Sequence, residues 1–328
     1  MKLHQDKILF KEAVTATAQL MVIPEIYVEK DYWVTYALHY IFADKIGDEV
    51  VFKGGTALSK CFSVIERFSE DIDLVVLKNE EETDNQLKRK IRKISKSLEE
   101  DLPEIKVEGI TNKKGMIRKT AHQYPKVFSG EYGQVREAII IEASWLGSFE
   151  PFENRQVISF IGQMMLDNNQ SELAERYNMT AFDVRVLKPT RTICEKIMSL
   201  VRFSYSENPI ADLRNKIRHI YDLHQLLKNP EFLEFFESNA FEQMLIKVGR
   251  DDVNSFRNNN DWLNFHPKDA LLFKEVEKVW GQIQTTYKGN FKLLVYGNLP
   301  NAEQVVHTLK KIQKRLKQVS WTINTNDL

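Results

Sequence analysis

Two early segments place apolar residues at helical spacing. Residues 7–21 carry Ile8, Phe10, Ala13, Val14, Ala18 and Met21 on one stripe, which predicts an amphipathic helix. After Pro24 the pattern resumes from Tyr27 to Phe42, with Val28, Trp33, Tyr36, Ala37, Tyr40 and Ile41. The charged triplet Glu29-Lys30-Asp31 stands early in this segment and reads as a solvated first turn or as part of a site. A short apolar run, Glu49 to Phe52, then breaks at Gly54-Gly55 before a helix-like stretch, residues 56–65. Asp71 to Leu77 alternates carboxylate and aliphatic residues and predicts a strand. A charged helix follows over 80–101, then strands over 105–110, 137–144 and 183–187, with a basic turn, Lys113-Lys114-Gly115, after the first. From Thr190 the pattern is helical throughout: 190–203, 210–228, 231–247, 268–286 and 301–319, separated by Pro, Gly or Asn. The expected fold is α+β: a mixed sheet flanked by helices over residues 1–188, and a helical bundle over 189–328.

Composition narrows the class. The 328 residues include 46 basic and 46 acidic side chains, so the formal net charge is zero. A surface basic all over is excluded, but the charge is unevenly spread. Residues 65–84 hold two basic and eight acidic side chains, residues 86–119 eleven basic and five acidic, and residues 301–320 five basic and one acidic. An acidic pocket with basic flanks suits a metal–nucleotide centre beside a polyanion; the plainer alternative is that both basic helices are solvated faces. Two cysteines, Cys61 and Cys194, are too few for a disulfide framework and fit a reducing cytoplasm. The N-terminal segment lacks the apolar run of a signal peptide, and no window has the length of a membrane span.

The chemistry concentrates in Phe52–Leu74, FKGGTALSKCFSVIERFSEDIDL. A strand ends, two glycines free the backbone, and a helix begins at Thr56. Such a turn aims backbone N–H groups at a phosphate, and Gly54 and Gly55 let it approach without a Cβ in the way. Sixteen residues on, Asp71 and Asp73 stand at i and i+2 of a strand and so point to one face. Two adjacent carboxylates repel unless a cation joins them. Magnesium, or manganese in its place, suits that pair, because it takes one or two carboxylates together with substrate phosphates. Within the predicted strand 137–144, Glu142 is the lone acid inside the apolar run and reads as a third metal ligand or as the partner of a nearby base.

The pattern Gly54-Gly-Thr, helix, Arg67-Phe-Ser69-Glu-Asp71-Ile-Asp73-Leu resembles the signature of the polymerase-β-like nucleotidyltransferase superfamily. More narrowly it resembles the AbiEii-type nucleotidyltransferase toxins, which include mycobacterial relatives that modify tRNA. Glu29-Lys-Asp-Tyr-Trp33 is similar to the helix that precedes the Gly-Gly turn in that family. Val186-Leu-Lys-Pro189 with Glu195-Lys196-Ile-Met-Ser-Leu-Val-Arg202 resembles its lysine motif, and Arg218-His-Ile-Tyr-Asp222-Leu its arginine–aspartate motif, with His219 in place of the first aspartate. The resemblance covers residues 25–230.

The resemblance implies a polymerase-β-like domain with a helical domain closing over it. Gly54, Gly55, Thr56, Lys60, Arg67 and Ser69 would bind the nucleotide, Asp71 and Asp73, with Glu142, would hold the metal, Lys196 would neutralise the triphosphate, and Asp222 would order Lys196 or lie near the acceptor. The plainer alternative for Asp222 is an i,i+4 pair with Arg218. The implied reaction moves a nucleoside monophosphate from NTP to an acceptor hydroxyl, by resemblance an RNA such as a tRNA 3′ end. The implied role is a toxin held by a cognate antitoxin. Its rivals are transfer to a small molecule and a catalytically silent nucleotide- or RNA-binding module.

Overall fold

The structure, a computed structural model, describes residues 1–113, 115–130, 135–256 and 259–325; Lys114 of the basic turn lies outside them. The chain divides into two compact units. The first comprises Met1–Ser63, Arg67–Trp145 and Phe152–Leu187, and the second Val64–Glu66, Leu146–Pro151 and Lys188–Leu328.

Unit one opens with α1 (Lys7–Met21) and α2 (Glu25–Ala43). The Asp6 side chain caps α1 by accepting from the Leu9 N–H, which satisfies one of the donors a helix start leaves open. α2 is buried almost all round, from Ile26 to Leu38 and again at Ile41, the pattern of a helix enclosed by its domain. Then come β1 (Val50–Lys53), α3 (Gly54–Lys60), β2 (Ile72–Val76), α4 (Asp84–Lys96), β3 (Glu104–Ile105), β4 (Ile117–His122), β5 (Ile139–Ser144), β6 (Phe152–Val157), α5 (Phe160–Asp167), α6 (Ser171–Arg176) and β7 (Phe182–Leu187). Among the described residues the strands form one mixed sheet in the order β3-β4-β5-β2-β1-β7-β6. β2 runs antiparallel to β1 and parallel to β5, and β1 runs parallel to β7. α2 packs on β5 and β7, and α4 on β2, β4 and β5. This is the expected α+β architecture, a mixed sheet flanked by helices.

Several elements differ from the periodicity. The 105–110 run pairs only at Glu104–Ile105 and then turns, with the Ile110 N–H bonding the Val107 carbonyl. α3 ends at Lys60 rather than 65, and Ser63 takes a left-handed φ of 51°. β4 and β6 carry no apolar alternation. In β4 the buried positions include Thr120 and His122, which bond each other while His122 also bonds the Leu102 carbonyl. β6 is a largely exposed edge strand.

Unit two holds α7 (Pro189–Ser204), α8 (Pro209–Asn215), α9 (Ile217–Lys228), α10 (Pro230–Glu237), α11 (Asn239–Ser255), α12 (Leu271–Lys274), α13 (Val276–Thr286) and α14 (Ala302–Leu316). Prolines start α7, α8 and α10 at their first helical position, where the missing N–H costs nothing. The run expected over 231–247 is two helices because the Ser238 side chain caps the second, accepting from the Ala240 N–H. The run over 210–228 breaks at Lys216, which no proline or glycine marks. Among the described residues no helix is long and apolar enough to cross a membrane.

Candidate active site

Sheet register assembles the centre. Lys53 on β1 stands opposite Asp73 on β2, Asp73 opposite Glu142 on β5, and Glu142 opposite Lys119 on β4. Directly opposed residues share a face, so four strands present a row of charges in the order Lys119, Glu142, Asp73, Lys53. The outer pair on one side is joined: Lys119 Nζ lies 2.8 Å from Glu142 Oε2. Burial alone would lower the Lys119 pKa, but Glu142, and then Asp71 and Asp73, hold it above the ordinary lysine value.

Asp73 is the strained member of the row. Among the described residues no hydrogen bond or ion pair reaches its carboxylate. Burial, then Glu142 and Asp71, push its pKa from 3.8 up to about 7, against the opposing pull of Lys53 and Lys119. Asp71 is the residue before β2 and is differently served: Arg136 Nη1 lies 2.8 Å from both of its carboxylate oxygens.

The turn from β1 into α3 is shaped around these carboxylates. Gly54 has φ +83°, and a Cβ there would collide with the Asp73 carboxylate. A Cβ on Gly55 would stand 2.6 Å from Arg67 Nη2 and 2.9 Å from Ser69 Oγ. Glycine is therefore required twice, for backbone conformation and for close approach. Gly54→Ala is expected to cost about 1–3 kcal/mol of stability from left-handed strain and to displace Asp73. Urea unfolding and turnover should both register it; a stable, fully active variant would mean that the close approach is incidental.

Other residues of the expected nucleotide site are engaged within the protein. Buried Thr56 donates to the Asp71 carbonyl at 2.7 Å, and its hydroxyl lies 3.0 Å from Ser69 Oγ, tying α3 to the lead-in of β2. Buried Arg67 donates to the Phe68 carbonyl. Lys60 Nζ pairs with Asp31 at 2.6 Å and sits over the Phe160 ring.

The triplet on α2 is neither solvated nor at the surface. Glu29, Lys30 and Asp31 are 0%, 0% and 4% exposed. Glu29 accepts from the N–H groups of Val127 and Phe128, and Asp31 from Phe160 N–H as well as Lys60. Lys30 donates to the Arg136 and Ala138 carbonyls and lies 3.4 Å from Glu70, which in turn accepts from the Arg136 N–H. Lys30, Glu70, Arg136, Lys119 and Lys53 thus surround the two aspartates, and sequence reading gave none of them a definite role. The only signal was a charged triplet inside a segment apolar on every side.

In unit two, Lys196 on α7 is buried with its Nζ 2.8 Å from Asp222 Oδ2 on α9 and 3.3 Å from His219 Nδ1. The lysine motif and the arginine–aspartate motif therefore meet.

Among the described residues no group of three His, Cys, Asp or Glu side chains is placed to hold a metal ion, and Glu142 pairs with Lys119. The donor chemistry still fits magnesium, which settles for two carboxylates plus substrate phosphates. The uncompensated charge that raises Asp73 is the kind a cation relieves.

The family model described as nucleotidyl transferase AbiEii toxin, type IV toxin–antitoxin system, matches residues 36–308. Among solved structures, the nucleotidyltransferase toxin MenT4 from Mycobacterium tuberculosis is similar at 14% identity and a TM-score of 0.48, covering 93% of this chain and 97% of MenT4. A search of curated proteins returned no significant match. The family match takes in the Gly-Gly turn, both aspartates and the Lys196–Asp222 pair, and it spans well over half of the sequence: the chain belongs to the AbiEii nucleotidyltransferases, the toxins of type IV toxin–antitoxin systems.

Proposed function

We propose that this nucleotidyltransferase moves a nucleoside monophosphate from NTP to a hydroxyl of an RNA acceptor, with a tRNA 3′ end as the first candidate, in the cytoplasm and under control of a cognate antitoxin. The observation that carries the reading is the packing of the Gly54–Gly55 turn directly against Asp73, with Asp71 alongside. Backbone N–H groups of that turn would cradle the phosphates, and Asp71 and Asp73 would hold the divalent cation. A cation there supplies Lewis-acid stabilisation of the pyrophosphate leaving group. Lys196, ordered by Asp222, is proposed as a nucleotide-binding residue.

RNA as acceptor draws on α4. Its apolar side, Leu87, Ile91 and Ile94, is buried, while Lys88, Arg89, Arg92, Lys93 and Lys96 are exposed. α14 offers less than its composition promised. Arg315 is buried and donates to the Phe236 and Ser238 carbonyls, and Lys310 and Lys311 pair with Glu277 and Glu237. Incubating the protein with each labelled NTP and total RNA tests the reading, with label expected in an RNA band. Neutralising Lys88, Arg89, Arg92 and Lys93 together should weaken RNA binding and flatten its salt dependence, by a slope of about 0.7–0.9 for each phosphate that is no longer neutralised. NTP affinity should hold, since such charges are screened over about 10 Å at 0.1 M salt. Unchanged RNA affinity and slope would favour a small-molecule acceptor.

A further inference from the structure

The two aspartates are not equivalent, and the difference lies in Arg136. A single guanidinium nitrogen stands 2.8 Å from both oxygens of Asp71, so that carboxylate has its charge matched from within the chain. Asp73, two residues away, has no such partner among the described residues. The backbone of Arg136 is fixed at both ends: its N–H donates to Glu70 at 3.0 Å, and its carbonyl accepts from Lys30. Glu70 and Lys30 are themselves buried and lie 3.4 Å apart. The side chain is another matter, being 40% exposed, with that of Asp71 at 29%. The backbone anchor is held by buried partners, and the guanidinium at its end is partly open to solvent.

Resting on the reading that Asp71 and Asp73 hold the divalent cation, we propose that Arg136 is a resident counter-ion which competes with the metal for Asp71 and passes to the nucleotide's phosphates when NTP arrives. Arg136 donates to both Asp71 oxygens, so a cation arriving there competes with it for the carboxylate's charge. Displacement without an incoming anion strands a positive charge beside a second one. Displacement by a metal–triphosphate complex brings the anion with the metal, and guanidinium is well suited to phosphate. Metal and nucleotide therefore bind with positive coupling, and the protein alone holds the cation weakly. Arg136 acts through Asp71 in the free protein and is a positioning residue there.

The competition has a sign that a merely structural arginine does not share. Manganese binding to the nucleotide-free protein, followed by electron paramagnetic resonance, should be about 10-fold tighter in Arg136→Gln than in the wild type. The gain in manganese affinity on adding a non-hydrolysable NTP should shrink by a similar factor. If Arg136 only braced the loop, the glutamine variant would bind manganese equally or more weakly, and either result overturns the proposal. Asp71→Asn separates this from the underlying reading. Where that variant weakens manganese binding but Arg136→Gln does not strengthen it, the metal site stands and the counter-ion role falls. Where Asp71→Asn leaves manganese binding unchanged, both are overturned.

Discussion

Asp73→Asn is expected to abolish nucleotidyl transfer and, in the same protein, to raise the stability of the metal-free state at and above neutral pH. The two effects share one cause. Burial, then Glu142 and Asp71, push the Asp73 carboxyl from 3.8 up to about 7. A carboxyl raised on folding contributes its full stability below the unfolded value, near pH 4, and loses it as pH climbs to about 7. At 1.36 kcal/mol per pH unit of displacement, the loss has an upper bound of about 4 kcal/mol. Asparagine never ionises, so the variant should lack this decline between pH 4 and 7. Catalysis moves the other way, by roughly 10³-fold or more, about 4 kcal/mol of barrier. Urea unfolding across pH 4–8 in EDTA and turnover at saturating magnesium measure the two arms. More than a tenth of wild-type turnover would falsify the role of Asp73, and an unaltered pH slope would remove the electrostatic argument.

Lys196→Met should be the most destabilising of the site variants. Asp222 is fully buried, and the substitution removes the cation 2.8 Å from its carboxylate. Removing one member of a buried ion pair costs about 3–5 kcal/mol. The double variant Lys196→Met/Asp222→Leu removes both charges and should recover most of the loss in chemical denaturation. That recovered protein is the proper place to ask about nucleotide. Without the charge-assisted bond from the ammonium group, NTP binding should weaken by roughly 10- to 150-fold, about 1.5–3 kcal/mol. Wild-type NTP affinity in the stable double variant would confine the pair to a structural role.

What the sequence disclosed follows the range of its rules. The strand–turn–helix at Phe52–Thr56 and the nearness of Asp71 to Asp73 are local, set by glycine and by a separation of two residues, so they were legible. α1 and α2 were legible from their stripes. The surroundings of the aspartates were not, because they arise from pairing between distant segments. Glu142 meets Asp73 through parallel pairing of β2 with β5, and Arg136 reaches Asp71 across 65 residues of chain. β4 was hidden because its interior face uses Thr120 and His122, bonded to each other, where alternation would place aliphatic residues. The triplet Glu29-Lys30-Asp31 left two readings open for the opposite reason: consecutive charges ordinarily mean water, and here each is satisfied by a different remote segment.

That last arrangement bears on when α2 can seat in its domain during synthesis. Glu29 waits for Val127 and Phe128, Lys30 for Arg136 and Ala138, and Asp31 for Phe160, which lies 129 residues further on. Until those segments emerge, seating α2 would bury three charges with their obligations unmet, at several kcal/mol for each ion. A ribosome adding about 5–20 residues per second needs roughly 6–26 s to cover that interval. The glycine turn and both aspartates leave the ribosome early in that delay, but the helix behind them has no reason to dock until it ends. The partners that let α2 be buried are thus complete only when most of the first unit has been made.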